Sequence, residues 1–258
     1  MNYFEIHLVE HCNLKCKGCD NFSSLAKEEY LDIELFENDI KRMHELFPKI
    51  QLIRLLGGEP LLHPQLTDFF DIIRNYYKYD TTIMVTTNAI LLDKMPVNFW
   101  NNCHANDITI EYTYYPINLD RDKHKKLAEQ YDVKLIPFSW EYKENKTLHR
   151  MPITDNKNDN YNNYNNCHKA KYKCVSLKQG KIYPCPTIPN IYHFNKFFNK
   201  HLEVTKNDYI DIYNHTAYDI DEFLTHAVPF CGYCNVNNIT YDHKWETTKY
   251  NINEWYDE

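Results

Sequence analysis

Residues 3–19 read YFEIHLVEHCNLKCKGC. An apolar segment, Tyr3–Val9, runs directly into Cys12, Cys16 and Cys19, spaced C-x3-C-x2-C. Three thiolates closing within one short loop hold three irons of a [4Fe–4S] cube and leave the fourth iron without a cysteine. An open iron of that kind binds a small molecule through its amine and carboxylate. A zinc knuckle is the competing reading. Structural zinc takes four ligands, usually as paired C-x2-C units, and the extra ligand at hand, His11, is awkwardly placed beside Cys12.

Working outward, four further apolar segments read as strands: Gln51–Leu56, Thr81–Thr86, Asp107–Tyr112 and Val133–Phe138. They are rich in Ile, Val, Leu and Thr without clean alternation, as in a parallel sheet buried on both faces. Helical patterns separate them. Phe36, Ile40, Met43 and Leu46 or Phe47 fall at helical spacing, with Asp32 as N-cap and Pro48 as stop. Leu66, Phe69, Phe70, Ile73 and Tyr77 form a second such stripe, and 119–131 a more polar one. The recurrence of βα units ends near residue 140, short of a complete eight-fold barrel. The expected fold is therefore α/β: a partial TIM barrel of five or six units, (β/α)6-type, over residues 1–150, followed by a small Cys-ligated domain over 151–258. Within the latter, the Asn-rich run 155–166 reads as a loop. Residues 174–177 and 181–184 flank a turn at 178–180 and predict a hairpin. A short helix is expected over 219–227.

The chain has 258 residues, 43% hydrophobic, with net charge −7. That composition supports a sizeable core and gives no bulk electrostatic reason for nucleic-acid binding. No basic leader followed by an apolar stretch is present at the start, and no long apolar run spans a membrane. Nine cysteines, an odd number in a chain expected in the cytoplasm, argue for metal ligation over a disulfide framework.

The loop Cys12–Cys19 resembles the signature of the radical S-adenosylmethionine (SAM) superfamily, although Gly18 replaces the usual aromatic or bulky residue before the third cysteine. The resemblance extends along the chain. Gly57, Gly58, Glu59 and Pro60, closing the second strand, are similar to the family's GGE motif. That motif holds the SAM amino group: the glycines let backbone carbonyls approach and Glu59 adds negative charge. Thr86-Thr87-Asn88, with Ala89 in place of glycine, resembles the T-N-G turn, so Asn88 is expected near SAM or substrate. Glu111 and Thr113, with Thr109, share one side of the fourth strand and match positions that contact the SAM ribose in related enzymes.

A second cysteine set comprises Cys167 and Cys185, either side of a turn at Gly180, with Cys231 and Cys234. Its layout resembles the twitch domain, a shortened SPASM domain carrying one auxiliary [4Fe–4S] cluster closed by four cysteines. Cys174 competes with Cys167, and a structural zinc site competes with the cluster. Cys103 reads as a core thiol, His63 as a packing residue, and Arg150 as a substrate-facing cation. The resemblance implies reductive cleavage of SAM to a 5′-deoxyadenosyl radical, with a flavodoxin or ferredoxin as donor. It further implies oxidation of a small molecule such as a sugar, cyclitol or nucleotide, the auxiliary cluster accepting the second electron. Thioether formation or epimerisation of a ribosomal peptide is the alternative within this chemistry. No peptide-binding segment is visible ahead of the barrel. An iron–sulfur electron carrier is the alternative outside it.

Overall fold

The computed structural model describes residues 1–138 and 147–258. The chain forms two compact units: Met1–Leu14 with Glu28–Lys146, and Lys15–Lys27 with Thr147–Glu258.

In the first unit five strands, β1 (Tyr3–Val9), β2 (Leu52–Gly57), β3 (Thr82–Thr87), β4 (Ile108–Tyr112) and β5 (Lys134–Pro137), pair in parallel and in chain order. Each is within a residue or so of its expected position. The sheet is open, a partial TIM barrel. Helices α1 (Ile33–Leu46), α2 (Leu66–Tyr76), α3 (Val97–Ala105) and α4 (Arg121–Gln130) form the crossovers. Asp32 caps α1 by accepting from the Leu35 amide at 2.9 Å, and Asp120 caps α4 in the same way.

Sequence periodicity explains the covered face of the sheet. Phe36, Ile40 and Met43 of α1 and Phe69, Phe70 and Ile73 of α2 are buried, and Phe36 meets Phe69 edge-on at 4.7 Å. Each such side chain withdrawn from water contributes about 2 kcal/mol. They lie over the buried Phe4, Ile6, Ile53, Leu55, Ile83 and Val85. The opposite face is buried too along β1 and β4, as expected of a sheet covered on both faces, but its side chains are polar. Register aligns Glu5 with Arg54, Arg54 with Met84, Met84 with Thr109, and Thr86 with Glu111, giving a polar inner surface.

The second unit begins with β6 (Thr147–Arg150), which does not add a sixth parallel strand but pairs antiparallel with β10 (Thr240–Lys244). The run 155–166, expected as a loop, contains helix α5 (Asn160–Asn166), capped by Asp159 through the Tyr161 and Asn162 amides. The buried amide of Asn163 fixes it there, donating to the carbonyls of Cys231 and Cys234 at 2.9 and 2.6 Å. After the four-residue α6 (His168–Lys171) comes the expected hairpin, β7 (Ser176–Lys178) and β8 (Lys181–Tyr183). Its two-residue turn has Gln179 and Gly180 both left-handed, at φ 51° and 71°, the conformation that matches strand twist. Helix α7 (Thr187–Phe198), which the sequence reading left unassigned, follows, then β9 (Ile210–Asp211) and α8 (Ala217–Phe223). The core of this unit joins Ile188, Ile191, Phe194, Phe230 and Trp255 to Phe22 and Leu25 from the cysteine loop. Among the described residues no helix is long and apolar enough to cross a membrane.

Candidate functional site

In the first unit, β1 ends and the chain turns at Glu10–Leu14. The Gly58 amide donates to the Val9 carbonyl at 2.6 Å and the Glu59 amide to the His11 carbonyl at 3.1 Å. A Cβ on Gly58 would stand 1.9 Å from the His11 oxygen, so this contact admits only glycine. The Cys12 sulfur accepts the Leu14 amide at 3.3 Å and the Asn88 side-chain amide at 3.6 Å. Asn88 also donates to the Asn13 side chain at 2.7 Å. The turn that follows β3 thus reaches the first cysteine directly. Ala89, where the resembling motif has glycine, sits at φ 64°, a conformation glycine adopts more readily.

Glu59 turns inward. Its carboxylate is wholly buried. It accepts from the Thr87 hydroxyl at 2.6 Å and the Leu61 amide at 3.1 Å on one oxygen, and from the Asn88 amide at 2.9 Å on the other. The side chain therefore braces the β2 and β3 turns against each other, leaving backbone groups of the Gly57–Pro60 turn for a ligand. Burial raises its pKa to about 7 against the three donors that favour the charged form. Glu111 is buried on the polar face, accepting from Arg54 at 3.3 Å and Thr86 at 2.8 Å; burial raises its pKa while Arg54 and Thr86 oppose the rise. Thr113 lies just beyond β4, its amide bonded to the Thr87 carbonyl at 3.0 Å. Arg54, Glu5 and His7 escaped the sequence reading. Their signal was the alternation of YFEIHLV, polar at 3, 5 and 7 and apolar at 4, 6 and 8.

In the second unit, the Cys16 sulfur accepts the Trp245 indole N–H at 3.2 Å. Cys19 is partly buried; the desolvation of its sulfur raises its pKa, while the amides of Asn21, Ser23 and Ser24 point at that sulfur and lower it. Among the described residues the buried hydroxyls of Ser23 and Ser24 have no hydrogen-bond partner. Gly18 is left-handed, at φ 61°, which accounts for glycine where a bulky residue is usual. Loop sulfurs served by N–H donors suit thiolate ligands of an iron–sulfur cube, whose potential such donors tune.

The other four cysteines converge as well. Cys167, Cys185, Cys231 and Cys234 line one cavity with Met151, Asn163, Tyr164, Ala170, Pro184, Ile188 and Phe230. Cys174 is not among its lining residues. Cys231 is pushed up to about 12, by burial first and then by Cys185 and Cys167; Cys234 rises for the same reasons. Cys234 is buried and the other three thiols partly so, and four thiols facing one cavity are the kind of donor set that an iron–sulfur cluster takes as thiolates. Among the described residues no group of three or more His, Cys, Asp or Glu side chains is placed so that it could hold a metal ion as it stands. Lys169 is buried beside this ring. Burial opposes its charge, but Asp20 and then Cys185, Cys167 and Cys234 outweigh it and hold its pKa above the ordinary lysine value.

Arg150 is not a free cation. Its guanidinium donates to the Asn253 and Tyr256 carbonyls, both at 2.8 Å, and to Asp257 at 2.6 Å. It ties β6 to the C-terminal segment. His63 packs between Tyr30 and Phe69 and accepts the Gln65 amide. Cys103 is a buried thiol of α3.

The radical SAM superfamily profile matches residues 6–177, and the chain belongs to that superfamily. Among curated relatives, the GTP 3′,8-cyclase of Aliarcobacter butzleri (strain RM4018) is 36% identical over 98 residues, covering 37% of this chain and 29% of the relative. That of Campylobacter jejuni (strain RM1221) is 31% identical over 133 residues, covering 50% and 39%. The chain thus spans well under half the length of these relatives. The crystal structure of BtrN in complex with AdoMet and 2-DOIA superposes with TM-score 0.53 at 16% identity, over 91% of this chain and 93% of that one. Native anSMEcpe with bound AdoMet gives 0.55 at 12%, over 90% and 83%. At such identities these likenesses establish the fold.

Proposed function

We propose that this radical SAM enzyme oxidises a small polar molecule by two electrons, an alcohol to a ketone on a sugar, cyclitol or nucleotide. Cys12, Cys16 and Cys19 would hold the SAM-binding [4Fe–4S] cluster, and Cys167, Cys185, Cys231 and Cys234 an auxiliary one. When bound, these groups supply a 5′-deoxyadenosyl radical that takes a hydrogen atom from an unactivated C–H and an acceptor for the electron left behind, the hydroxyl proton passing to water. The chain's own part is positioning. The Gly57–Pro60 turn offers backbone groups to the SAM amino group, Asn88 stands at the Cys12 sulfur, and Arg54 with Glu111 lines the polar face. A flavodoxin or ferredoxin is the proposed one-electron donor, and the cytoplasm the proposed compartment.

The observation that carries the reading is the cavity ringed by four cysteines. Four thiolates close a cube completely and leave no iron for substrate, which favours an electron-accepting role. The fold is shared with BtrN, solved in complex with AdoMet and 2-DOIA, over 93% of that chain. The names of the curated relatives favour a second reading, ring formation on a nucleotide without net oxidation. Anaerobically reconstituted protein, given SAM, dithionite and a panel of cyclitols, sugars and nucleotides, separates the two. A product lighter by two hydrogens, matched one for one by 5′-deoxyadenosine, supports the oxidation. A rearranged product of unchanged mass overturns it.

A further inference from the structure

One charged group beside the four-cysteine cavity has no part in the scheme above. Lys169 is 4% exposed, an extreme burial for lysine. Its ammonium donates to the Thr187 hydroxyl at 2.8 Å and pairs with Asp20 at 3.3 Å. The addresses of these partners are informative. Lys169 lies two residues after Cys167, Thr187 two after Cys185, and Asp20 directly after Cys19. The ammonium is therefore fixed by residues neighbouring cysteines of both sets, all within the second unit. A solvated lysine on the four-residue helix α6 would satisfy any need for solubility. Burying one costs several kcal/mol unless its charge is compensated.

We infer that Lys169 is a positioning residue that sets the reduction potential of the auxiliary cluster, with Asp20 setting how much of its charge the cluster experiences. A reduced cluster carries one more negative charge than an oxidised one. A fixed cation nearby stabilises the reduced form and raises the potential, and in a buried site the effect is weakly screened. Asp20 partly cancels that cation. The two members of one ion pair therefore act on the potential with opposite signs.

The inference rests on the auxiliary-cluster reading, and its test separates the two. The full-length chain is reconstituted anaerobically, iron and sulfide are counted, and the midpoint potential of the second cluster is followed by EPR-monitored titration. Lys169→Gln is expected to lower that potential, Asp20→Asn to raise it, and Lys169→Arg to restore it close to the parent value. A purely structural lysine would alter cluster content or thermal stability without shifts of opposite sign. If Lys169→Gln fails to assemble the second cluster, Asp20→Asn alone decides, since it keeps the lysine: an unchanged or lowered potential overturns the inference. A parent protein with only about four irons per chain, roughly the content of one cube, overturns the auxiliary-cluster reading and the inference with it. Two clusters whose potentials ignore both substitutions overturn the inference and leave the reading standing.

Discussion

At the turn between β2 and the short helix that begins at Pro60, two residues have sharply different requirements. Gly58 is required for space. Any Cβ there meets the His11 carbonyl at 1.9 Å, and backbone does not yield as a flexible side chain does. Gly58→Ala is expected to cost roughly 3 kcal/mol or more and to displace the residue preceding Cys12. Reconstituted protein should show a lower melting temperature together with loss of SAM-cluster absorbance, and a variant with parental values for both would contradict the assignment. Glu59 is required for its three acceptor bonds. Its pKa rises from 4.5 to about 7 because burial outweighs those bonds. The folded state thus keeps a proton that the unfolded chain has already released, so stability falls as pH climbs from about 4.5 to 7 and is level above that. The drop is on the order of 3 kcal/mol. Comparing denaturant midpoints across this window, Glu59→Gln should lack the parent's decline, and parallel curves would refute the shift. The glycines and Glu59 were recognisable as a motif in the sequence, but the inward, bracing direction of the carboxylate was not. It depends on Thr87 and Asn88, nearly thirty residues away. Arg150 shows the same limit: position along the chain placed it near a substrate, whereas its hydrogen bonds tie it to the C-terminal segment.

Among the elements, legibility followed how locally each is determined. Helices α1 and α2 announce themselves through apolar spacing, and β7 with β8 through a turn that glycine favours. Helix α5 gives no such notice. Seven residues of Asn and Tyr bury almost nothing, and the helix holds because Asp159 caps it and Asn163 ties it to the Cys231–Cys234 loop. Replacing Asn163 by Leu keeps the volume but strands two carbonyls, at an expected cost of about 2–4 kcal/mol. Its sharper consequence is a loosened C-x2-C loop. The variant should retain the SAM cluster and lose iron from the second, so an undiminished count of eight irons would exclude this role for α5. The polar face of the parallel sheet escaped for a related reason. Strands crowded with Ile and Val read as buried on both sides, as β1 and β4 are, and only the alternation in β1 betrays that one buried face carries Glu5, His7 and, across the register, Arg54.

For the whole molecule, the proposed division of labour between two cysteine sets predicts two distinguishable failures. Cys16→Ala should abolish 5′-deoxyadenosine formation, because two thiolates do not build the open cube. Cys231→Ala should continue to cleave SAM while failing to release oxidised product, provided circular dichroism shows the fold intact. Deoxyadenosine and product counted together decide the matter: normal product from Cys231→Ala would make the second site structural. Outright SAM cleavage by Cys16→Ala would remove the basis of the scheme. Both proposed sets rest on cysteine spacings in the sequence; that residues 15–27 group with Thr147–Glu258 was not legible there, since contiguity in the chain argues for the opposite. Phe22 and Leu25 nevertheless complete the core built by Ile188, Phe194, Phe230 and Trp255. The consequence is one of inheritance. A gene segment encoding only residues 147–258 would carry this core with two of its members missing, so the C-terminal unit cannot be shuffled between genes as a self-contained cassette. Duplication or recombination that transmits it intact has to bring the cysteine loop along, and the two sequence regions are bound to evolve together.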